Sequence, residues 1–393
     1  MEGYDVTVIF AQHAEWSRAS DAEILARSSW RGIAIVATDT GFLLRLARFT
    51  IRVRSIIFRA LARMSTIAPI LELASSRYFI EQTWRAISSR SDLYIGHNPP
   101  SLPVVAWAAR INGAKYGFDF EDFHMGEIPI DQGPGPRERL LKALEDRYLP
   151  GASYVTAASP GIAAEVHKLH KWVKPVTVLN AFPWTDRSRL PIADRTTPRT
   201  KPLSLYWFSQ IVGLDRGLQD VVRALGLVKS PAVLHIRGAT TRYSAREAKL
   251  RLLKIAHDSG SNKKIFFHDP IPPQDLLASC AEHDVGLCLE SPISINRDVC
   301  ITNKLFLYML GNLAIVASRT QGQAEMLTTA PGIGFLYEPG NDDELASIIE
   351  RLAQDPALLE RTRTRALEAA GDRWNWELES RVLVSTVKQV SAA

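Results

Sequence analysis

The segment NRDVCITNKLFLYMLGNLAIVAS, residues 296–318, predicts a short amphipathic helix that runs directly into a buried strand. Four apolar residues in it recur at helical spacing and form one stripe: Leu305, Phe306, Met309 and Leu310. Gly311 and Asn312 then offer a left-handed stop before the apolar run LAIVAS. Helices that alternate with such strands are typical of parallel α/β folds.

Lys304 is an unusual residue for the first turn of this helix. Thr302 or Asn303 can cap the backbone N–H groups, so the helix begins close to the lysine. A cation beside the positive end of a helix dipole is unfavourable by roughly 0.3–1 kcal/mol unless an anion shares the site. Because helix N-termini also bind phosphate, the combination predicts a phosphate near Lys304.

The same alternation of strand and helix patterns extends along the whole chain. The apolar, β-branched runs are DVTVIF, GIAIVAT, DLYIGHN, AKYGFDF, YVTAAS and PVTVLNAF, then LSLYWFS, AVLHIRG, KIFFHD, DVGLCLE, LAIVAS and GIGFLYE. Segments with helical periodicity separate them. We therefore predict an α/β protein with two doubly wound, Rossmann-like domains whose parallel sheets face a central cleft.

Length and composition set the predicted domain boundaries. The 393 residues exceed what one ordinary core supports, and the Pro-, Arg- and Thr-rich segment 183–202 predicts a linker. The N-terminal domain would cover residues 1–182 and the C-terminal domain residues 203–355. We expect residues 356–393 to be helical and to cross back to the N-terminal domain.

The overall composition favours a soluble globular protein of a reducing, cytoplasmic compartment. The chain is 46% hydrophobic and 23% charged, and it has no apolar run long enough to cross a bilayer and no signal peptide. Its three cysteines lack C-x-x-C spacing, which argues against a disulfide framework and a zinc site. A net charge of +5 would permit nucleic-acid binding, but no recognised motif accompanies it, so we expect no nucleic-acid partner.

One basic segment suggests a membrane surface. Residues 41–70, GFLLRLARFTIRVRSIIFRALARMSTIAPI, interleave arginines with Leu, Ile and Phe and contain no acidic residue. Such a helix can lie on an anionic bilayer, which would make the protein peripheral at the inner membrane. The alternative is a helix that packs on its own domain and turns its arginines to solvent.

A second basic residue stands at a helix start in FSQIVGLDRGLQDVVRAL, residues 208–225. Gly213 lets the backbone approach an anion and Arg216 offers a bidentate fork, a layout that suits a diphosphate. A surface arginine beside Asp215 would explain this short motif equally well.

The sequence resembles the GT-B glycosyltransferases, specifically the retaining group of glycosyltransferase family 4. The most specific part is TNKLFLYMLGNLAIVASRTQGQAEMLTTAPGIGFLYEPGNDDELASIIERLAQDP, residues 302–356, which is similar to the family pattern K-x-F-E-Y-M-x-x-G-x-P-V-V-A-S, then G, E-x-x and a P-G-[ND] turn. DRGL, DVGLCL, VTAASPGIAAEV and TVLNAFP match further family segments. The resemblance implies a GT-B fold with an acceptor-side N-terminal domain and a donor-nucleotide C-terminal domain.

The resemblance also implies site residues in the C-terminal domain. A nucleoside-diphosphate sugar would be the donor, and Arg216 and Lys304 would neutralise the diphosphate as it leaves, without a dedicated metal or another cofactor. The residues expected to contact the donor are Gly213, Arg216, Glu290, Thr302, Asn303 and Lys304.

In the N-terminal domain the resemblance points to GFDFEDFHMGE, residues 117–127. It makes His124 and Glu121 candidate catalytic contacts with the acceptor or the donor sugar, and the expected acceptor-side residues are His97, Asp119 and Asp122. A metal site of the D-x-D kind, solvated carboxylates at a helix start and a purely structural His97 are the alternatives.

Two departures from the family pattern bear on activity. The paired glutamates of the family fall at Val299 and Leu307, which leaves ribose binding by a carboxylate in doubt. The opening EGYDVTVIF resembles the second strand of the family, so a first strand, a glycine-rich loop and a helix would be missing. Turnover would then be impaired, because these parts orient the reacting groups.

These features predict a retaining, hexosyltransferase-like glycosyltransferase that moves a sugar from a nucleoside-diphosphate sugar to a hydroxyl. Its acceptor would be a saccharide or a lipid-linked saccharide in cell-surface polysaccharide or glycolipid synthesis. The alternatives are a non-catalytic or degenerate nucleotide-sugar-binding protein and another GT-B enzyme such as a nucleotide-sugar epimerase.

Overall fold

A computed structural model describes residues 3–12, 18–35, 42–65, 67–190, 202–241 and 243–392 of the chain. The chain divides into two compact units: the first contains Met1–Val178 and Val382–Ala393, and the second contains Leu179–Arg381. Most of the predicted linker lies outside the described residues. The predicted domain boundaries stay predictions.

Each apolar run identified in the sequence contains a strand. The strands are β1 (Thr7–Ala11), β2 (Arg31–Ile35), β3 (Leu93–His97), β4 (Lys115–Phe120), β5 (Tyr154–Ala157), β6 (Val176–Thr177), β7 (Leu203–Ile211), β8 (Ala232–Ala239), β9 (Ile265–His268), β10 (Val285–Cys288), β11 (Ala314–Ser318) and β12 (Gly334–Tyr337). The helices are α1 (Arg18–Arg27), α2 (Phe42–Leu61), α3 (Ala68–Ser75), α4 (Phe79–Ser89), α5 (Leu102–Asn112), α6 (Pro136–Tyr148), α7 (Pro160–Leu169), α8 (Leu218–Leu227), α9 (Tyr243–Asp258), α10 (Leu276–Ala281), α11 (Ile295–Val299), α12 (Asn303–Leu310), α13 (Gln321–Thr329), α14 (Asp342–Gln354), α15 (Pro356–Asp372) and α16 (Trp376–Ala392). Among the described residues, no helix is both long enough and apolar enough to span a membrane.

The second unit is built on a six-stranded parallel sheet in the order β12-β11-β10-β7-β8-β9. The chain builds outward from β7 to β9 and then restarts on the other side of β7 with β10, which is the strand order of a doubly wound fold. Alternate residues of β7 point to opposite faces of the sheet and pack in two separate cores. Leu205 and Trp207 pack with α8 and α14, whereas Tyr206 packs with α12 and α15. This arrangement confirms the predicted α/β class with parallel sheets.

The first unit contains a parallel sheet in the order β3-β4-β5-β6 and a separate parallel pair, β1-β2. Helix α5 lies on β3 and β4, and its Val104, Val105 and Ala108 are buried against Tyr94. The carboxyl ends of β3 and β4 lie side by side, with His97 opposite Asp119 in the register.

The opening of the chain forms a β-α-β unit. Strand β1 is followed by helix α1 and then by β2, which pairs with it in parallel from Thr7 opposite Arg31 to Ala11 opposite Ile35. The run DVTVIF therefore has a helix and a second strand after it, and GIAIVAT supplies that second strand. The expectation that a strand, a glycine-rich loop and a helix are missing before DVTVIF stays a prediction.

Candidate functional site

The donor-side candidates gather where the strand order of the second unit reverses. Strand β7 lies between β8 and β10, and ligands of doubly wound sheets bind beyond the carboxyl ends of the strands at such a switch point. The loop after β7 carries Gly213 and Arg216, and Glu290 comes directly after β10. The topology thus brings together residues that are 74 positions apart in the chain.

Glu290 is the centre of this cluster and binds three cations. Arg216 Nη1 donates to both of its carboxylate oxygens at 3.1 Å, and Arg297 Nη1 donates to Oε2 at 2.7 Å. Lys304 Nζ lies 3.4 Å from Oε1. Arg297 Nη2 also donates to Asp215 at 2.9 Å, so three cations face two carboxylates and leave a formal charge of 3 − 2 = +1.

Glu290 is held ionised although it is almost fully buried. Burial on its own would raise the pKa of its carboxyl, but the nearby charges of Lys304, Arg216 and Arg297 outweigh burial and lower the pKa. Its backbone N–H donates to Ser318 Oγ at 2.8 Å, which ties the loop after β10 to the end of β11. The carboxylate is therefore a fixed anion that orders three positively charged side chains.

Lys304 occupies the first turn of α12, and its anionic neighbour in the structure is Glu290. The lysine is buried, its Nζ donates to Thr302 Oγ1 at 3.2 Å, and Nζ lies 5.8 Å from the ring centroid of Trp207. Thr302 is the N-cap residue, but its side chain makes no capping hydrogen bond, because its hydroxyl is turned to the lysine. The prediction of a side-chain cap by Thr302 is therefore wrong; Asn303 is the exposed first residue of the helix.

Arg297 is the residue that sequence reasoning missed. It lies on α11, a helix of only five residues, whose N-cap Ser294 accepts a hydrogen bond from the Arg297 backbone N–H at 3.3 Å. A single turn has no apolar periodicity to mark it, and the cap pattern S-x-x-R was the one available signal. The capped turn holds the arginine over the loop that carries Asp215.

A cavity of about 640 Å³ opens beside Arg216. Gly213 lines it from the loop after β7, and Glu247 and Arg251 line it from α9. The two α9 residues form an ion pair of 2.5 Å with each other, so Arg216 is the lining cation that connects the cavity to Glu290.

Leu307, at the position of the second family glutamate, is buried in the apolar core, and its side chain offers no polar atom to a ligand.

A second group of candidates lies in the first unit at the ends of β3 and β4. His97 Nδ1 is 3.2 Å from Asp119 Oδ2 and 3.3 Å from Glu121 Oε1, and Thr156 donates to Asp119 Oδ1 at 2.5 Å. Hydrogen bonds to Asp119 and Glu121 raise the pKa of His97 to about 9, so the ring is charged at neutral pH. The three side chains also offer ligand atoms within 4.8 Å of one another, a set that could hold a divalent ion in place of the proton.

His124 does not join this group, although it lies in the same loop after β4 as Glu121. It begins a single 3-10 turn after β4, and its Nδ1 pairs with Glu127 Oε1 at 2.5 Å. Arg137 donates to the other oxygen of Glu127 at 2.6 Å. Glu121 thus lies with His97, whereas His124 has a separate acidic partner; Asp122, between them, is half-buried.

Comparison with known proteins relates the chain to one family of enzymes. Residues 2–181 match a family model described as "Glycosyl transferase 4-like domain". No curated protein matches the chain.

Solved structures resemble the chain over most of its length. HepE from Anabaena in complex with UDP shares 16% sequence identity at a TM-score of 0.69, covering 97% of this chain and 92% of that chain. A glycosyltransferase from Rickettsia africae shares 14% sequence identity at a TM-score of 0.63, covering 99% of this chain and 91% of that chain. Sucrose-phosphate synthase from Thermosynechococcus elongatus shares 16% sequence identity at a TM-score of 0.63, covering 80% of this chain and 78% of that chain. Such identities establish a common fold, and together with the family match they confirm the resemblance to GT-B glycosyltransferases of family 4.

Proposed function

We propose that the chain, whose fold is that of the GT-B glycosyltransferases, transfers a sugar, with retention, from a nucleoside-diphosphate sugar to a hydroxyl acceptor. The observation that carries this proposal is the cluster of Arg216, Arg297 and Lys304 around Glu290 at the switch point of the second sheet. HepE structures with UDP and with UDP-glucose support a uridine donor for this chain as well.

The three cations suit the chemistry of the leaving group. When the bond between the sugar and the phosphate breaks, negative charge develops on the departing nucleoside diphosphate. Preorganised donors at that position lower the barrier, and arginines can meet phosphate oxygens with two parallel hydrogen bonds. Arg216, Arg297 and the buried Lys304 place three positive charges at this position, so the cluster can stabilise the departing diphosphate as a metal ion would.

We propose an acceptor that is presented at a membrane, in cell-surface polysaccharide or glycolipid synthesis. One face of α2 and the turn after it is exposed and carries Phe49, Arg52, Ile56, Arg59 and Arg63, at helical spacing. Arg54, between them in the sequence, faces inward and pairs with Glu81 at 2.9 Å, which ties α2 to α4. An exposed face with both arginines and large apolar residues complements an anionic bilayer surface. Residues 41 and 66 of the predicted segment lie outside the described residues.

Release of free nucleoside diphosphate tests the proposed reaction. We expect the wild-type protein to liberate it from UDP-glucose or another nucleoside-diphosphate sugar when a hydroxyl acceptor is added, with one sugar transferred for each diphosphate. The variant Arg216→Gln should lose most of this turnover, whereas Arg365→Gln, which removes only an exposed pair with Glu368, should keep it.

Two other outcomes would replace the proposal. Nucleotide binding without release in the wild-type protein would identify a binding protein. Conversion of the donor sugar into its epimer, without transfer, would identify a nucleotide-sugar epimerase.

A further inference from the structure

The two ring nitrogens of His124 lie in different surroundings. The residue is only 9% exposed, and Nδ1 pairs with Glu127 at 2.5 Å. Nε2 is buried and has no hydrogen-bond partner among the residues that the structure describes. Leaving a buried polar atom without a partner costs about 1–3 kcal/mol, so such an atom indicates a ligand that completes it.

Glu127 is held as an anion between two donors. Its carboxylate accepts from His124 through Oε1 and from Arg137 Nη2 through Oε2, the latter at 2.6 Å. Burial would raise the pKa of Glu127, but the hydrogen bonds from His124 and Arg137 outweigh burial and lower the pKa. An ionised carboxylate only accepts hydrogen bonds, so Nδ1 of His124 must carry a proton and donate it to Glu127.

The local sequence explains why these three residues meet. His124 and Glu127 are three positions apart across one 3-10 turn, which places them on the same side of the backbone. Arg137 lies in the first turn of α6, the helix that begins at Pro136. The three side chains thus come from two rigid elements and need no ligand to bring them together.

We propose that Glu127, fixed by Arg137, is a positioning residue that holds the ring of His124 through Nδ1 and presents Nε2 to a hydroxyl group of the bound sugar or acceptor. In this arrangement Nε2 makes a hydrogen bond with that hydroxyl and orients it. The assignment deepens the proposed transferase function and rests on it for the identity of the hydroxyl. The hydrogen bonds from His124 and Arg137 to Glu127 form in the free protein, without a bound substrate.

The tautomer of His124 can be measured without any substrate. In protein labelled with ¹⁵N at histidine, with His124→Gln used to assign the signal, we expect Nδ1 to give the pyrrole-type shift of a protonated nitrogen. The variant Glu127→Gln should lose this preference, because its amide can donate to Nδ1 as readily as it accepts. A bare Nδ1 in the wild-type protein would overturn the proposal.

Steady-state kinetics give the second readout. For Glu127→Gln we expect kcat to fall about ten-fold or more while KM for the donor changes by less than about two-fold, since His124 orients a group in the reaction and not the nucleotide. Arg137→Gln should show a smaller loss in the same direction. Glu165→Gln, which removes only a surface pair with Lys168, is the matched control.

The two readouts separate this inference from the proposed function. A wild-type protein that transfers no sugar would reject the function, and the tautomer of His124 would still decide the role of Glu127. Unchanged kcat in Glu127→Gln, together with active wild-type protein and an intact fold by urea unfolding, would overturn the positioning role alone.

Discussion

At the scale of single residues, the main feature is one buried carboxylate shared by three cations. Glu290 is 6% exposed and Lys304 is 8% exposed, so neither charge is well solvated, and each depends on the other. The sequence pattern led us to expect a phosphate beside Lys304, and the structure places the carboxylate of Glu290 there. Under the proposed function, a nucleoside diphosphate would enter a site whose cations are already ordered by Glu290.

We predict that Glu290→Gln lowers the stability of the protein. The amide cannot balance Lys304, Arg216 and Arg297, and removing one member of a buried ion pair costs about 3–5 kcal/mol, reduced here because the arginines are partly exposed. Urea unfolding should show a free energy of unfolding lower by about 2–4 kcal/mol. Glu368→Gln removes an exposed partner of Arg365 and serves as the control, with an expected change below about 0.5 kcal/mol. Equal effects of the two variants would contradict the shared burial of Glu290 and Lys304.

His97 makes stability depend on pH in a direction that its partners determine. Hydrogen bonds to Asp119 and Glu121 raise its pKa to about 9, above the ordinary value of 6.5, so the folded protein holds this proton more tightly than the unfolded chain does. The stabilisation is fully present below the unfolded value and is lost as pH rises through the folded value. We expect His97→Gln to be less stable than wild type near pH 6 and equal to it above about pH 9.5.

Urea unfolding of both proteins across this pH range checks the expectation. His257→Gln alters an exposed histidine at the end of α9 and controls for the loss of an imidazole. A stability difference between wild type and His97→Gln that stays constant with pH would show that His97 is not charged by its carboxylate neighbours.

At the scale of elements, the long periodic segments were predictable and the short ones were not. The strands β7 to β12 carry unbroken or alternating apolar runs, and α9 and α14 carry clear helical stripes, so their sequences define them. Helix α11 has one turn and no stripe, which is why Arg297 was not predicted as part of the site. The side-chain cap of α12 was mispredicted because the Thr302 hydroxyl can accept either from a backbone N–H of the helix or from Lys304 Nζ. The sequence pattern does not choose between these two donors, and the structure shows the bond from Lys304.

Helix α2 gives a prediction at this scale. We expect the protein to bind vesicles that contain anionic lipid, in a manner that weakens as salt increases, because each arginine near such a surface contributes about 1 kcal/mol. Replacing the exposed Arg52, Arg59 and Arg63 by serine should abolish co-sedimentation, whereas replacing Arg361 and Arg365 of α15 should not. Absence of binding to anionic vesicles by the wild-type protein would make α2 a packing element and favour an acceptor in solution.

At the scale of the whole molecule, sheet order is what turns separate motifs into a site. Sequence spacing indicated that Lys304 and Arg216 each stand at a helix start, but their proximity follows from β10 pairing with β7. The adjacency of strands is decided by long-range packing, so one sequence does not reveal it. The family resemblance supplied the expectation of a shared site, and the structure supplies Glu290 as its common partner and adds Arg297.

The claim on which the account depends most is that these cations bind the diphosphate of the donor. Calorimetric titration with UDP, and with GDP and ADP for comparison, tests it directly in the wild-type protein, Lys304→Ala, Arg297→Ala and the surface control Lys254→Ala, whose lysine pairs with Asp258 on α9. We predict that each site variant binds the preferred nucleotide about 10- to 100-fold more weakly, because each loses a charge-assisted contact of about 1.5–3 kcal/mol, while the control binds as wild type does. Wild-type affinity in both site variants, with folding intact, would contradict the diphosphate site.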